Sequence, residues 1–253
     1  MLLKPSLDIG FFSLPYYFLI LSLTFSFSLW WWIERAQKQN KNLDLAFQLV
    51  LQILCVGFVG SRLFHIIYEE PRYYLQHPWD VFAIWKGGFV FFGGALPAIA
   101  IAIYNLRKKQ QDVWSWADMA VPVFLVGYAC GRIASLMAGS CYGRATNVPW
   151  AVLYPGGLEA PAYVALHPVA AYEALWSLLL ALIFLFFERQ RGLSGGAAAC
   201  WALIGHGLGR WFSEQFRADN RGEFIFNQSV SSWISLILIA VGLFFLTQKR
   251  RPS

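Results

Sequence analysis

The sequence has few charged residues. Only 13% of its 253 residues are Asp, Glu, Lys or Arg, whereas 58% are hydrophobic. Soluble globular domains carry charge at about a quarter of their positions. The scarcity of charge therefore excludes an ordinary water-soluble domain and indicates a protein embedded in the lipid bilayer. The net charge of +6 mostly reflects basic loops beside the membrane and does not indicate nucleic-acid binding.

Cysteine is scarce as well, and its spacing indicates no thiol-rich site. The four cysteines show no CxxC pair, and Cys55, Cys130 and Cys200 fall in apolar stretches. A buried thiol in such a stretch behaves as a small hydrophobic group. We also predict no metal site and no cofactor. Cys141 lies in a polar stretch and is a candidate reactive thiol, although the sequence shows no adjacent base.

Two further absences narrow the class of membrane protein. The first apolar run has no A-x-A cleavage site and is longer than a signal-peptide core, so we interpret it as a retained helix. The two halves of the chain show no internal repeat, whereas secondary transporters are often built from repeated halves. The absence of a repeat therefore disfavours a transporter.

The apolar stretches are sufficient for seven membrane-spanning helices. A helix needs roughly 20 residues to cross the hydrocarbon core of a bilayer. We predict an all-α polytopic membrane protein that forms one membrane domain over residues 1–253. The predicted spans are at about 9–33, 45–68, 87–106, 113–138, 167–187, 195–216 and 228–247.

The distribution of basic residues predicts the orientation. Eleven of the 20 lysines and arginines lie in alternate loops, at Arg35, Lys38, Lys41, Arg107, Lys108, Lys109, Arg189, Arg191, Lys249, Arg250 and Arg251. Short basic loops remain in the cytoplasm. The amino terminus is therefore predicted outside and the carboxyl terminus in the cytoplasm. The polar stretch 139–166 becomes a small extracytoplasmic loop region, and a loop of this length is usually functional.

Three arginines interrupt the apolar stretches at similar predicted heights. At 1.5 Å per residue, Arg62 and Arg132 lie about 25 Å and Arg210 about 22 Å along their helices, near the outer leaflet. A charged group at membrane depth costs at least ~2.5 kcal/mol and needs an anionic partner or a polar cavity. One guanidinium group can bind two phosphate oxygens at once through two parallel hydrogen bonds. The arginines therefore predict a site for a phospholipid phosphate, although Arg62 could instead extend to the outer headgroups.

A polar stripe accompanies Arg210 in the sixth predicted span. His206, Arg210 and Glu214 repeat every four residues, and Arg217 follows three residues later. This spacing places all four on one helix face. The alternative for Arg210 and Glu214 is an ion pair that only joins helices.

Other residues in the apolar stretches allow two interpretations or need a partner. Glu173 lies in apolar surroundings and requires a cation or a proton. Gly93 and Gly94 permit close approach of either a ligand or another helix. Ser115 and Asp118 form an S-x-x-D capping box, so Asp118 is interpreted as a helix-start residue and not as a catalytic acid.

Four ordered stretches of the chain resemble motifs of the bacterial prolipoprotein diacylglyceryl transferases. They are WKGGFVFFGGAL, GRIASLMAGSCYGRATNVPWAVLYPG, LHPVAAYE and GRWFSEQFR. The resemblance extends over most of the chain, from GSRLFHIIY to the last span. It implies an enzyme of the bacterial inner membrane whose site faces the extracytoplasmic leaflet. The implied reaction transfers the diacylglyceryl group of phosphatidylglycerol to the lipobox cysteine of a prolipoprotein signal peptide, which forms a thioether and releases glycerol phosphate.

The resemblance also implies roles for individual residues. Arg132 and Arg210 correspond to phosphate-binding catalytic residues, and Gly143 to a residue that shapes the signature loop. Phe92 stands where many members have histidine, and His206 stands where tyrosine is common. We predict that His206 is the general base, with a helix-packing histidine as the alternative. The expected substrate-binding residues are Arg62, Gly93, Gly94, Ser135, Gly143, His167, Tyr172, Glu173, Glu214 and Arg217.

Other departures from the family pattern leave two alternatives open. Ala134 and Ser135 follow the signature arginine where asparagine is usual, Ser140 replaces a glutamate, and Ala170 replaces the glutamine of the HP motif. One alternative is a paralogue that binds anionic lipid or signal peptides without transfer. The other is a transferase that uses phosphatidylglycerol with a different acceptor.

Overall fold

The computed structural model is mostly helical and describes residues 2–9, 12–84, 87–191, 195–219, 224–226 and 228–249. Within these ranges, five helices are long and apolar enough to cross a membrane: Tyr16–Lys38, Leu43–Glu69, Val113–Ala138, Val169–Gln190 and Val230–Gln248. The chain is therefore a multi-pass membrane protein. The other two predicted spans are also helical, at Phe91–Lys108 and Ala197–Glu214, but these 18-residue helices are not among the five. Arg250 and Arg251 of the predicted basic cluster lie outside the described residues.

Eight α-helices and two short strand pairs occur in the described ranges. The helices are α1 (Tyr16–Lys38), α2 (Leu43–Phe64), α3 (Pro71–Gln76), α4 (Phe91–Lys108), α5 (Val113–Ala138), α6 (Val169–Arg191), α7 (Ala197–Glu214) and α8 (Val230–Lys249). A π-helical turn (His65–Glu69) extends α2, and a 3-10 turn (Pro78–Phe82) follows α3. The antiparallel strand pairs are β1 (Ser6–Ile9) with β2 (Phe12–Pro15) and β3 (Phe224–Ile225) with β4 (Gln228–Ser229).

Two predicted spans begin too early. The first was expected from residue 9, but β1 and β2 pair with Ser6 opposite Pro15, and α1 begins only at Tyr16. The third was expected from residue 87, but Gly87 and Gly88 have φ values of 80° and 76°, which an α-helix excludes. That helix consequently begins at Phe91.

The chain divides into two compact units, each with its own helix packing. One unit comprises Met1–Trp31 and Trp114–Ser253, and the other comprises Trp32–Val113. The prediction of a single membrane domain stays a prediction.

In the smaller unit, α2 packs closely against α4 through glycines. A Cβ on Gly60 would lie 2.6 Å from the Gly93 carbonyl oxygen, and a Cβ on Gly94 would lie 3.1 Å from both the Gly57 carbonyl carbon and Ser61 Cβ. Small residues allow such close backbone approach. The structure therefore shows the helix packing that was one of the two explanations for Gly93 and Gly94, and their contact with a ligand stays a prediction.

In the larger unit, an apolar core joins α5, α6 and α7. Its buried members are Val121, Leu125, Leu180, Ala181, Phe184, Ala198 and Ala202. α8 packs against α7 at Gly207, where a Cβ would lie 2.8 Å from both the Ile239 side chain and the Ser235 carbonyl oxygen. This packing fixes the helices that carry Arg132, Glu173 and Arg210 next to one another.

The loop region 139–166 is folded and has its own small core. Val152 and Leu166 exchange two backbone hydrogen bonds of 3.0 and 2.9 Å, and the Leu3 amide donates to the Leu153 carbonyl at 3.0 Å. The buried apolar side chains are Leu3, Val152, Tyr154, Ala160 and Leu166. The region is thus a structured element that follows α5.

Asp118 caps α7 and not the helix that contains it. α5 begins at Val113, so Ser115 is its third residue and the predicted capping box is wrong. The Asp118 carboxylate accepts hydrogen bonds from the amides of Gly196 (2.7 Å) and Ala199 (2.9 Å) at the start of α7. The negative charge of Asp118 also interacts favourably with the positive, amino-terminal end of the α7 dipole. Asp118 is therefore a helix-start residue, as interpreted from the sequence, but for a helix distant in sequence.

We expect Asp118→Ala to lower the free energy of unfolding by about 1–2 kcal/mol, because two amides at the start of α7 lose their acceptor. Thermal unfolding of the purified protein in detergent measures this loss. Glu159→Ala is the control, since Glu159 is exposed and such a change costs less than about 0.5 kcal/mol. Equal stability of the two variants would contradict the capping role.

Candidate active site

The centre of the candidate site is the carboxylate of Glu173 on α6, which is 5% exposed. Arg132 on α5 places Nε 2.8 Å from Glu173 Oε2. Arg210 on α7 donates from Nη1 to Glu173 Oε1. The expectation that Glu173 needs a cationic partner is confirmed, and the carboxylate joins guanidinium groups from two other helices.

Two hydroxyl groups complete the bonding of this carboxylate. The Tyr128 hydroxyl donates to Glu173 Oε2 at 2.7 Å, and Ser213 Oγ donates to Oε1 at 2.8 Å. Each oxygen of Glu173 thus pairs with one guanidinium group and accepts one hydroxyl hydrogen bond. Bonds to an ionised carboxylate are stronger than neutral ones, so this arrangement holds the two arginines firmly. Neither Tyr128 nor Ser213 was among the predicted site residues.

The predicted stripe on α7 continues the charge network. Arg210 Nη2 lies 3.2 Å from Glu214 Oε2, and Arg217 Nη1 lies 3.6 Å from the same oxygen. Ser229 Oγ donates to Glu214 Oε1 at 2.7 Å. The shared helix face of Arg210 and Glu214 is therefore confirmed. The prediction that Arg217 lies on the same helix face is wrong, because α7 ends at Glu214, although Arg217 still reaches the Glu214 carboxylate. The Arg210–Glu214 ion pair also exists, and it occurs together with the Arg210 bond to Glu173.

Arg217 closes the network through a paired contact with Asp219. Arg217 Nε donates to Asp219 Oδ1 at 2.8 Å, and its Nη2 donates to Oδ2. Burial alone would lower the pKa of the Arg217 guanidinium, but its hydrogen bonds and charge pairing with Asp219 raise that pKa above its usual value. Arg217 therefore stays charged, and part of its guanidinium is already bound by the protein.

The network leaves hydrogen-bond donors for an anion. A guanidinium has five N–H donors, and Glu173 occupies only one from each of Arg132 and Arg210. Arg132 Nη1 also donates to Cys141 Sγ, and Arg210 Nη2 donates to Ser231 Oγ at 3.2 Å and lies 3.2 Å from Glu214 Oε2. These contacts use fewer than five donors on each guanidinium group. The arrangement can thus bind a phosphate-like group beside Glu173 without losing the contacts that position both arginines. Among the described residues, no group of three or more His, Cys, Asp or Glu side chains converges as a metal-ligand set.

His206 contacts aromatic rings next to this network. Its ring centroid lies 4.5 Å from that of Tyr128 at 88°, and 5.7 Å from that of Phe124. Within the part of the chain that the structure describes, its ring nitrogens form no hydrogen bond. These contacts fit the helix-packing alternative, and the role of His206 as a base stays a prediction.

Tyr172 and His167 form a second polar group in the same unit. His167 Nδ1 lies 3.1 Å from the Tyr172 hydroxyl, which also accepts a 2.8 Å hydrogen bond from Trp150 Nε1. The ring of Phe216 packs against His167 at 5.4 Å. The structure therefore brings Tyr172 and His167 together, but with aromatic neighbours and not with the carboxylate of the adjacent Glu173.

Gly143 lies where the loop region meets the start of α6. Its amide donates to the His167 carbonyl at 3.1 Å. A Cβ at this position would lie 2.6 Å from both His167 Cβ and the His167 carbonyl oxygen, and 2.7 Å from Val169 Cγ2. Because backbone and side-chain atoms leave no room for a side chain, a glycine is required. This agrees with the loop-shaping role that the resemblance implied.

Three other residues of the loop and of α5 have distinct surroundings. Cys141 Sγ accepts a hydrogen bond from Arg132 Nη1 at 3.3 Å. The Ser135 hydroxyl donates to the Gly131 carbonyl of its own helix at 3.1 Å, so the structure does not bring it to the charge network. Burial raises the pKa of Tyr154 to about 12, which keeps that phenol neutral at physiological pH.

Arg62, in the other unit, is surrounded by backbone carbonyls. The residue is 6% exposed, and its guanidinium donates to the carbonyls of Asp80 (2.8 Å), Ala83 (3.3 Å), Gly88 (3.2 Å) and Gly87. Carbonyl dipoles of its own unit therefore compensate this charge. Contact of Arg62 with a phosphate and its extension to the outer headgroups both stay predictions. Arg62 fixes the segment that leads into α4.

Comparison with known proteins supports the motif resemblance. Residues 5–248 match the family model described as prolipoprotein diacylglyceryl transferase. Three relatives carry the name phosphatidylglycerol–prolipoprotein diacylglyceryl transferase. The protein of Nitrosomonas europaea is 38% identical over 80% of this chain and 71% of its own length. The Synechocystis protein is 33% identical over 97% and 90%, and the Streptococcus agalactiae protein is 28% identical over 98% and 96%. With its family model matched over nearly all of its length and two arginines joined at the buried Glu173, the chain belongs to the prolipoprotein diacylglyceryl transferase family.

Proposed function

We propose that this protein transfers the diacylglyceryl group of phosphatidylglycerol to the cysteine thiol of prolipoproteins. The relatives named for this reaction support the proposal, and so does the chemistry of the candidate site. The single structural observation that carries it is the joining of Arg132 and Arg210 by one buried carboxylate. Two fixed guanidinium groups with remaining donors are suited to the phosphodiester of a lipid headgroup.

In the proposed reaction, the thiol sulfur attacks the glycerol carbon that bears the phosphate. A carbon–sulfur bond forms, the carbon–oxygen bond to the phosphate breaks, and glycerol phosphate leaves. Negative charge accumulates on the leaving phosphate, where Arg132 and Arg210 stabilise it in the transition state. The thiol proton moves to a base, and thiolate is the nucleophilic form.

His206 is the proposed base. It shares a helix face with Arg210, and its ring nitrogens form no hydrogen bond within the described residues. A neutral imidazole has one nitrogen lone pair that can accept a proton, which suits it to the role of general base. Tyr172, His167, Glu214 and Arg217 are proposed to shape the polar surroundings of the substrate.

The proposed setting is the bacterial inner membrane, with seven spans, an external amino terminus and a cytoplasmic carboxyl terminus. The loop region 139–166 then lies outside the cytoplasm. The site faces the outer leaflet, where phosphatidylglycerol enters from the bilayer and the lipobox cysteine of a signal peptide reaches it. The alternation of basic loops supports this orientation.

One reconstitution tests the proposed function. Purified protein is mixed with phosphatidylglycerol and a lipobox peptide, and the peptide is analysed by mass spectrometry. We expect a diacylglyceryl thioether on the peptide cysteine together with glycerol phosphate. Lipid binding without product would instead support a silent paralogue, and glycerol phosphate without a modified peptide would support another acceptor.

His206→Gln tests the base. Glutamine preserves polarity and approximate size but cannot accept the thiol proton, so we expect turnover to fall by roughly 10²-fold or more, with little change in phosphatidylglycerol binding. The same assay measures it. Tyr104→Gln, a helix-surface change in the other unit, is the control. Full activity of His206→Gln would remove His206 from the mechanism.

A further inference from the structure

Tyr128, which neither the motifs nor the family resemblance identified, contacts three parts of the candidate site. It lies on α5, one helical turn before Arg132. Its hydroxyl donates to Glu173 Oε2 at 2.7 Å. Its ring centroid lies 4.8 Å from the guanidinium carbon of Arg132 and 4.5 Å from the ring of His206. We infer that Tyr128 is a positioning residue that orients Arg132, Glu173 and His206 for the proposed transfer, an inference that rests on the proposed function.

The ring and the hydroxyl of Tyr128 have separable effects. The face of the ring is electron-rich and attracts a guanidinium, most strongly where water is excluded. Because Arg132 bonds to Glu173 through Nε, the ring contact fixes the plane in which its remaining donors project. The hydroxyl holds the same Glu173 oxygen that binds Arg132. Tyr128 thus restrains Arg132 both directly and through the carboxylate.

The ring also determines where His206 lies. The two rings meet edge to face at 88°, an orientation that aromatic pairs prefer. Since the nitrogens of His206 form no hydrogen bond within the described residues, ring packing against Tyr128 and Phe124 sets its position. A proposed base and a proposed phosphate ligand are consequently held by one side chain.

Two substitutions separate these effects. Tyr128→Phe keeps the ring and removes the bond to Glu173, so we expect turnover to fall about tenfold, as for the loss of one charge-assisted hydrogen bond. Tyr128→Leu also removes the ring, and we expect turnover to fall about 100-fold with a rise in KM for phosphatidylglycerol. Tyr104→Phe and Tyr104→Leu are matched controls, because Tyr104 also lies near a cation, Lys108 at 5.9 Å, but in the other unit.

A chemical readout tests the positioning of Arg132 without requiring transfer. Phenylglyoxal modifies exposed guanidinium groups, and mass spectrometry gives the rate at Arg132. We expect Tyr128→Leu to accelerate modification of Arg132 severalfold, Tyr128→Phe to leave the rate close to native, and neither Tyr104 variant to change it. Tyr128→Phe preserves the packing volume, so its result stands even if Tyr128→Leu folds poorly.

The outcomes are distinguishable. Native turnover in both Tyr128 variants, or an unchanged rate of Arg132 modification in Tyr128→Leu, would overturn the positioning role while the proposed function stands. If the native protein transfers nothing, the proposed function fails, and the modification rates alone then decide whether Tyr128 positions Arg132.

Discussion

Replacing Arg132 or Arg210 with alanine should reduce diacylglyceryl transfer by roughly 10²–10³-fold, the typical cost of removing a donor that stabilises developing charge. Both guanidinium groups bind the same buried carboxylate, Glu173, so each is held in place before substrate arrives. Neither residue can compensate for the other, because they approach Glu173 from different helices. Transfer to a lipobox peptide, measured by mass spectrometry, gives the loss.

Lysine variants test whether the positive charge alone is sufficient. Arg132→Lys and Arg210→Lys retain this charge but lose the planar guanidinium group with its parallel N–H donors. We therefore expect each lysine variant to be more active than the alanine variant and less active than the native protein. Arg107→Ala, at the exposed end of α4, is the control and should keep native activity. If either lysine variant were fully active, a point charge would be sufficient and paired binding of the phosphate would be contradicted.

Replacing Glu173 with alanine should lower the free energy of unfolding by about 3–5 kcal/mol, because two partly buried guanidinium groups lose the buried carboxylate that they share. The hydroxyls of Tyr128 and Ser213 lose their acceptor at the same time. We expect a large decrease in thermal stability in detergent, together with loss of transfer.

A partly exposed ion pair gives the matched control. Glu34 lies 2.6 Å from Lys38 on α1, with side-chain exposures of 31% and 72%. Exposed pairs contribute about 0–1 kcal/mol, so Glu34→Ala should have little effect. Similar unfolding temperatures for Glu173→Ala and Glu34→Ala would show that the Glu173 network does not stabilise the fold.

Local spacing predicted much of the candidate site. The i, i+4 pattern placed Arg210 and Glu214 on one face, and the isolation of Glu173 in an apolar stretch required a cation. Both expectations are confirmed. The first prediction depends on helix periodicity, and the second depends on the cost of burying a charge. Both the spacing and the isolated charge can be recognised in the sequence alone.

Residues whose partners are distant in sequence were predicted less well. Asp118 bonds to Gly196 and Ala199, and this pairing depends on how α5 meets α7. The chain after α3 folds back and supplies Arg62 with carbonyl acceptors that no pattern displays. Tyr128 was detectable in principle, because it lies one turn from Arg132, but an aromatic residue in an apolar helix has no distinctive signal.

The proposed mechanism requires Arg132 and Arg210 to bind the phosphate of phosphatidylglycerol together. A structure of the protein with bound phosphatidylglycerol would show whether they do. We expect phosphate oxygens within hydrogen-bond distance of both guanidinium groups, with Glu173 still joining the two arginines. A phosphate held by other cations, with neither Arg132 nor Arg210 in contact, would contradict it.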